Sequence, residues 1–509
     1  MPTSRRDILR MLAATGLTPA LQPFGLRLAA LGAAAPNAGY QAMVCIFLFG
    51  GNDSANMVLA TDPDSWSRYQ SARNTGSQVI ALAAPGSAAL AGGLAANGAP
   101  GLGGVLPIQP ATDNGWPAGT TPSGTGARTF ALHPLMPNLQ ALFSQGHAAV
   151  VPNLGTLLQP TTPAQYLAGS SAAHPLPPLL FSHSDQQSTW QTGAVLGARI
   201  GWGGQLCDRL AASNPTTTFT AISVSGNAVY LAGHDTIGYQ SSATGPIAIS
   251  GLQAKSIYGS SAAPSVLGAL LATPSPASPS YFQADYATVV NRSTVAQQQL
   301  ANALLAITPA AAPPQVADPL TGALANNPVA TGLQTILNLI AAGQVLGMKR
   351  QVFFLGIQGF DTHIDENSFH PRLMANLDGG LGYFYQALGT LNGADLTGSV
   401  TAFTMSDFSR TFTSNGSGTD HGWGGHHLVV GGAVKGGDFY GQYPTVGVAL
   451  GSFVNPNAIY SGVWVPTTAV DQYAATLGSW MGVGASDLAA IFPNLANFAT
   501  NGNALLGFL

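Results

Sequence analysis

The chain alternates between long stretches of small residues and short, unbroken apolar runs. Ala42-Met43-Val44-Cys45-Ile46-Phe47-Leu48-Phe49 is the first such run. No polar residue alternates within it, so it predicts a strand buried on both faces, of the kind found in parallel sheets covered by helices. It closes on Gly50-Gly51-Asn52-Asp53. A second run, Gln351-Val352-Phe353-Phe354-Leu355-Gly356, leads to Phe360-Asp361-Thr362-His363. A helix-patterned stretch over 371–393 separates it from a third, Ser399-Val400-Thr401-Ala402-Phe403-Thr404-Met405, which leads to Ser406-Asp407-Phe408-Ser409-Arg410. A Gly-rich loop then carries Asp420-His421-Gly422 and Gly425-His426-His427 into Leu428-Val429-Val430. Strand, helix, strand and polar turn is the α/β pattern.

The remaining segments predict less regular structure. Residues 71–127 are rich in Gly, Ala, Pro and Ser and read as loop. His133 to Gln145 predicts a helix and 148–152 a short strand. Residues 215–235 alternate and predict strand, whereas 240–330 are rich in Ala, Ser and Pro, with helical stretches near Tyr286–Leu305 and Pro328–Val345. The expected architecture is α/β, with a mostly parallel central sheet flanked by helices, in one domain over 41–509. The span of about 205–330 is expected to be an insertion or cap.

The chain opens Ser4-Arg5-Arg6-Asp7-Ile8-Leu9-Arg10, followed by a moderately apolar stretch to Ala33-Ala34-Ala35. Paired arginines before a weakly apolar region predict a twin-arginine export signal over 1–40. The partner that follows is the twin-arginine translocase, and the location a periplasmic or extracellular one. Pro19 and Pro23 break the apolar stretch, and no other segment is apolar over a membrane's width, so no permanent span is expected.

Composition narrows the picture further. Charged residues make up 7% of the 509 positions, against roughly 25% in an average soluble protein. Hydrophobic residues make up 46%, which excludes a disordered chain. Net charge is −4, no Lys/Arg run follows the first ten residues, and Lys255, Lys349 and Lys435 stand singly, so no nucleic-acid partner is expected. Of the two cysteines, Cys45 lies inside the first apolar run and reads as a small buried hydrophobe; a disulfide with Cys207 is left open.

The chemistry-bearing feature is an acid just past each buried strand: Asp53, Asp361 and Asp407. Open α/β sheets bind ligands outside the carboxyl ends of their strands. Three carboxylates meeting there repel one another unless a cation or shared protons intervene. His363 and His421 stand beside them. Mixed Asp/His ligation suits zinc, and oxygen-richer ligation suits calcium, magnesium or manganese. Neighbouring strand residues point to opposite faces, so only one of His426 and His427 is expected to face the crevice. Ser182 and Ser184 are candidate metal-activated nucleophiles, with His183 a ligand or a donor to a phosphate oxygen. Arg410 is either an oxyanion clamp or the ion-pair partner of a cluster carboxylate.

Taken in order, Phe47-Leu48-Phe49-Gly50-Gly51-Asn52-Asp53, Leu132-His133-Pro134, Phe181-Ser182-His183-Ser184-Asp185, Gly359-Phe360-Asp361-Thr362-His363, Ser406-Asp407-Phe408-Ser409-Arg410-Thr411 and Thr419-Asp420-His421-Gly422 resemble bacterial domain-of-unknown-function family 1501. The resemblance covers nearly all of the chain after the export signal. That family is similar to the alkaline phosphatase and sulfatase superfamily. The resemblance implies an alkaline-phosphatase-like fold with two metal positions. Asp361, His363 and His421 would hold one metal; Asp53 and Asp407 would hold the other, near a serine of 182–184. Where the superfamily carries His after the acid, this chain carries Phe408. The function so implied is metal-dependent hydrolysis of phosphate or sulfate esters. The alternatives are a metal-retaining, non-catalytic exported binding or envelope protein, and a surface protein assembling through its Ala/Gly/Thr-rich loops.

Overall fold

The computed structural model describes residues 39–94, 100–112, 128–242, 245–272, 281–448, 454–499 and 503–509, so nearly all of the expected export signal lies outside the described residues. Tyr40–Leu509 forms one compact unit.

The central sheet has nine strands. In chain order they are β1 (Gln41–Leu48), β2 (Ala148–Gly155), β3 (Ala221–Ser223), β4 (Tyr239–Ser242), β5 (Gly245–Pro246), β6 (Arg350–Ile357), β7 (Val400–Ser406), β8 (Gly425–Val430) and β9 (Thr468–Ala469). Across the sheet they run β5-β4-β3-β6-β1-β7-β8-β2-β9. Only β5 and β8 run against the rest, so the sheet is mostly parallel, as expected. The helices that matter below are α1 (Pro63–Arg73), α2 (Pro137–Ser144), α3 (His183–Thr192), α4 (Trp202–Leu210), α5 (Tyr281–Leu305), α6 (Pro328–Val345), α7 (Glu366–Leu388) and α8 (Val470–Trp480).

Every residue of β1 is buried, which is why its sequence is a continuous apolar run. Ala42, Val44, Ile46 and Leu48 pack in one core with Leu139 of α2, Leu300 of α5, Leu333 and Ile336 of α6, and Leu377 and Leu381 of α7. Met43, Cys45 and Phe47 pack in a second core with Trp190 of α3, Trp202 and Leu206 of α4, and Tyr473 and Leu477 of α8. Each Val, Leu, Ile, Met or Phe side chain among them contributes about 1.5–3 kcal/mol by leaving water.

The structure departs from the sequence reading in several places. Residues 71–127 contain three short strands, Ala89–Leu94, Pro100–Leu102 and Leu106–Ile108. The alternating stretch 215–235 gives only the three-residue β3. Within 205–330, β3 and β4 pair into the central sheet and Leu206, Cys207 and Leu210 pack in its second core. Part of that span therefore belongs to the sheet rather than to a cap. Short length and small or polar residues hid β4 and the strands of 71–127 from a pattern search that depends on apolar runs, whereas β3 falls within the stretch expected to be strand. Cys45 and Cys207 are both buried and free. Among the described residues, no helix is long and apolar enough to cross a membrane.

Candidate metal centre

Register brings the three strand ends together. Leu48 of β1 lies opposite Ile357 of β6 on one side and Ser406 of β7 on the other. The turns that follow therefore start at one level. Gly50 has φ +114°, and a Cβ there would stand 2.3 Å from the backbone nitrogen of Asp361. Only glycine lets the first turn lie flat against the second. The Gly50 N–H donates to Asp407 Oδ1 at 3.2 Å, tying in the third. Past β7, the chain pairs with itself: Gly422 N–H donates to Ser409 O at 2.7 Å and Thr411 N–H to Asp420 O at 2.9 Å. That ladder sets His421 opposite Arg410. His183 enters as the first residue of α3, after a turn in which Leu179 (φ +51°) and Phe181 (φ +69°) both hold left-handed backbone. Such conformations cost about 1–3 kcal/mol each in side-chain-bearing residues and cluster at functional sites.

These elements converge on His183, Asp361, His363 and His421, whose ligand atoms all lie within 4.8 Å of one another. Each imidazole is oriented by an oxygen at Nδ1. His183 Nδ1 donates to Asp407 Oδ2 at 2.7 Å, His363 Nδ1 to Asp420 Oδ1 at 3.2 Å, and His421 Nδ1 to the Phe181 carbonyl at 2.7 Å. Placing the proton on Nδ1 leaves Nε2 as a bare lone pair in the neutral ring. The inward atoms are those Nε2 atoms. His363 Nε2 and His421 Nε2 are 2.8 Å apart, and His183 Nε2 is 3.5 Å from Asp361 Oδ2. His183 Nε2 is also buried with no hydrogen-bond partner. Burial depresses the His421 pKa, so its ring is held neutral. Burial alone would raise the Asp361 pKa, but the Arg410 guanidinium outweighs it and keeps the carboxyl ionised. Three lone pairs and a carboxylate facing one point make a donor set for a divalent cation, with the outer oxygens that metal-binding imidazoles require. Phe408 walls the site, its ring 4.8 Å from that of His183 and 4.6 Å from that of His421.

Of the expected residues, Asp361, His363 and His421 are brought together, and His183 joins them. Asp407 stands one step back. It is fully buried and takes hydrogen bonds from His183, from Gln187 Nε2 at 2.8 Å and from Gly50. Asp53 is not brought to the cluster. The Arg73 guanidinium at the end of α1 clasps it through both terminal nitrogens, and both side chains are fully buried. Burial would raise the Asp53 pKa, but Arg73 overrides it and sets it at about 2. Arg410 is equally committed. It donates from Nε to Gly51 O at 2.9 Å, from Nη1 to Thr419 O at 3.3 Å, and from Nη2 to the Gly50 and Phe360 carbonyls and to Asp361. It is the carboxylate's partner, leaving no free fork for an oxyanion. Ser182 donates to Asp185 at 2.7 Å and lies 3.4 Å from the Ser184 hydroxyl; neither bonds a cluster residue among the described residues. His426 and His427 both stay out. His426 is buried against Tyr443 and Trp464, and His427 against Trp190.

A second polar group lies behind the first and had no sequence forecast. Glu366 accepts from Asn56 Nδ2 at 3.2 Å and from the Thr419 hydroxyl at 3.1 Å, and burial beside Asp53 pushes its pKa well up. His370, one helical turn on, lies 3.3 Å from Asn52 Oδ1 and edge-on to His133. Their i, i+4 spacing on α7 was the available signal. Asp420 also went unassigned, although it adjoins His421 in sequence.

The family model described as "Protein of unknown function (DUF1501)" matches residues 40–492. No curated protein matches the chain.

Proposed function

We propose that this chain, which belongs to the DUF1501 family of proteins of unknown function, is an exported metalloprotein that hydrolyses phosphate or sulfate esters at one divalent cation. The observation that carries the proposal is the common orientation of three imidazoles, each giving Nδ1 to an oxygen and Nε2 to the same point. Three nitrogens and one carboxylate favour zinc over calcium, magnesium or manganese. A bound cation would supply Lewis-acid polarisation of the ester. The chain's own residues do the rest. Asp407, Asp420 and the Phe181 carbonyl fix the rings, while Phe408 and Arg410 keep the inner side dry. The Asp361 side chain is 49% exposed and that of His363 40%, so the outer side is open to a substrate. A structural site would be closed. The resemblance of the sequence motifs to the alkaline phosphatase and sulfatase superfamily and the Arg5-Arg6 start support the ester class and twin-arginine export to the periplasm or beyond.

A second reading is a metal-retaining, non-catalytic exported binding or envelope protein. The engagement of Ser182 with Asp185, of Asp53 with Arg73 and of Arg410 with backbone carbonyls favours it. Metal analysis of the purified protein and turnover of aryl phosphate and aryl sulfate esters separate the two. The hydrolase reading expects one cation per chain and a turnover lost in Asp361→Ala. A stoichiometric cation with no turnover leaves the second reading, and no retained cation removes both.

A further inference from the structure

Resting on the metal-hydrolase reading, we infer that the site takes esters bearing a single negative charge beside an apolar group, such as sulfate monoesters or phosphate diesters, in preference to dianionic phosphate monoesters. The argument is one of charge. A divalent cation and Arg410 would bring three positive charges, and Asp361, Asp407 and Asp420, each bonded to a cluster side chain, bring three negative ones. The centre is then neutral before substrate arrives. Asp185, bonded to Ser182 at the start of the helix that carries His183, adds further negative charge. Every negative charge a substrate brings is then uncompensated, a dianion carries one more of them than a monoanion, and Arg410, fully buried with each of its nitrogens engaged, cannot turn to meet it.

The flanks point the same way. Ile364, directly after His363, is 73% exposed, and Leu179, two residues before the carbonyl that orients His421, is 59% exposed in left-handed backbone. An exposed aliphatic side chain directly after a ligand, and a second held in left-handed backbone in the turn that leads to His183, fit an apolar substituent on the ester.

Two non-hydrolysable anions of the same shape test this without turnover: benzenesulfonate, a monoanion, and phenylphosphonate, a dianion at alkaline pH. Calorimetric titration of the zinc-loaded full chain is expected to show benzenesulfonate binding tighter by about tenfold or more, the cost of taking one uncompensated charge from water. Ile364→Ser is expected to weaken benzenesulfonate several-fold while leaving methanesulfonate unchanged. Equal or tighter binding of phenylphosphonate, or binding of neither anion, by zinc-loaded protein overturns the charge argument alone. An unaltered benzenesulfonate affinity in Ile364→Ser overturns its apolar half. Failure to retain zinc overturns the metal-hydrolase reading, and this inference with it.

Discussion

The Nε2 atoms of His363 and His421 stand 2.8 Å apart, and each ring has already given its Nδ1 proton to an oxygen. Two bare lone pairs at that distance repel, so the pair needs either an additional proton or a cation between the rings. A cation that binds only the folded chain stabilises it by mass action. A chelator is therefore expected to lower the unfolding temperature, and added zinc to restore it. His421→Ala should abolish both effects and lower metal content; an unchanged chelator response in that variant would show that the ion sits elsewhere.

Asp407 touches the centre only through His183, so its removal should loosen the metal without removing a ligand. Asp407→Asn keeps the side chain's shape and an oxygen for Gly50 or His183 but no longer carries the charge. Outer partners of metal-binding histidines are worth about 10–100-fold in affinity. The expected outcome is a drop of that order in zinc affinity, with unfolding of the chelated protein little changed. Competition against a chromophoric chelator measures it.

Asp53 and Arg73 form a fully buried ion pair, with Arg73 also donating to the Phe412 carbonyl at 2.9 Å and the Thr411 carbonyl at 3.1 Å. Removing one member of such a pair strands the other charge, at a cost of about 3–5 kcal/mol. Asp53→Ala should therefore be strongly destabilising in urea unfolding while the folded fraction keeps its metal stoichiometry. Loss of the metal without loss of stability would instead make Asp53 a ligand.

The contrast between Asp53 and Asp361 shows how far sequence could reach. Both follow a buried strand and a glycine-containing turn, and both were legible as strand-end acids because the apolar runs of β1 and β6 are unmistakable. Both meet a guanidinium, Asp361 that of Arg410 and Asp53 that of Arg73, and which acid still faces the imidazoles depends on where Arg73 lands, twenty residues along the chain. That is a matter of helix placement, not of local pattern. Likewise the sheet's parallel centre was readable from β1, β6 and β7 and β3 from the alternation of 215–235, whereas the four-residue β4 was too short and too polar to register. Arg410 illustrates a third limit. Its charge was visible, but whether its donors face substrate or the Gly50 and Gly51 carbonyls is decided by a turn that only glycine can make.

That turn is itself testable. Gly50→Ala would force a Cβ against the Asp361 nitrogen, in backbone that L residues avoid. Gly226, with φ +77° and nothing within 4 Å of its added Cβ, is the control for the conformational cost alone. Gly226→Ala is expected to cost about 1–2 kcal/mol and leave metal affinity unchanged. Gly50→Ala should cost more and weaken the metal, because Asp361 must shift.

Acid stability depends on groups away from the metal. Burial lowers the pKa of His426 and His427 to about 3 and of His370 to about 4, from an ordinary 6.5. The unfolded chain binds these three protons and the folded chain does not, so stability falls as pH drops through 6.5 towards 4. Asp378 and Asp471 oppose this. Burial raises both to about 6, so between 3.8 and 6 the folded chain holds protons that the unfolded chain has released. His133, its pKa held well down by burial, joins the histidines, and Glu366, pushed well up, joins the carboxyls; four against three leave a net uptake of about one proton on unfolding in that window, a slope of about 1.4 kcal/mol per pH unit. His427→Phe, which keeps a ring against Trp190, removes one of the histidine protons and should flatten the profile between about pH 4 and 6. Asp378→Asn removes one of the opposing groups and should steepen it. Urea unfolding of both variants across that range checks the pair, and parallel shifts of the two profiles, with no change of slope, would place the acid sensitivity in other groups.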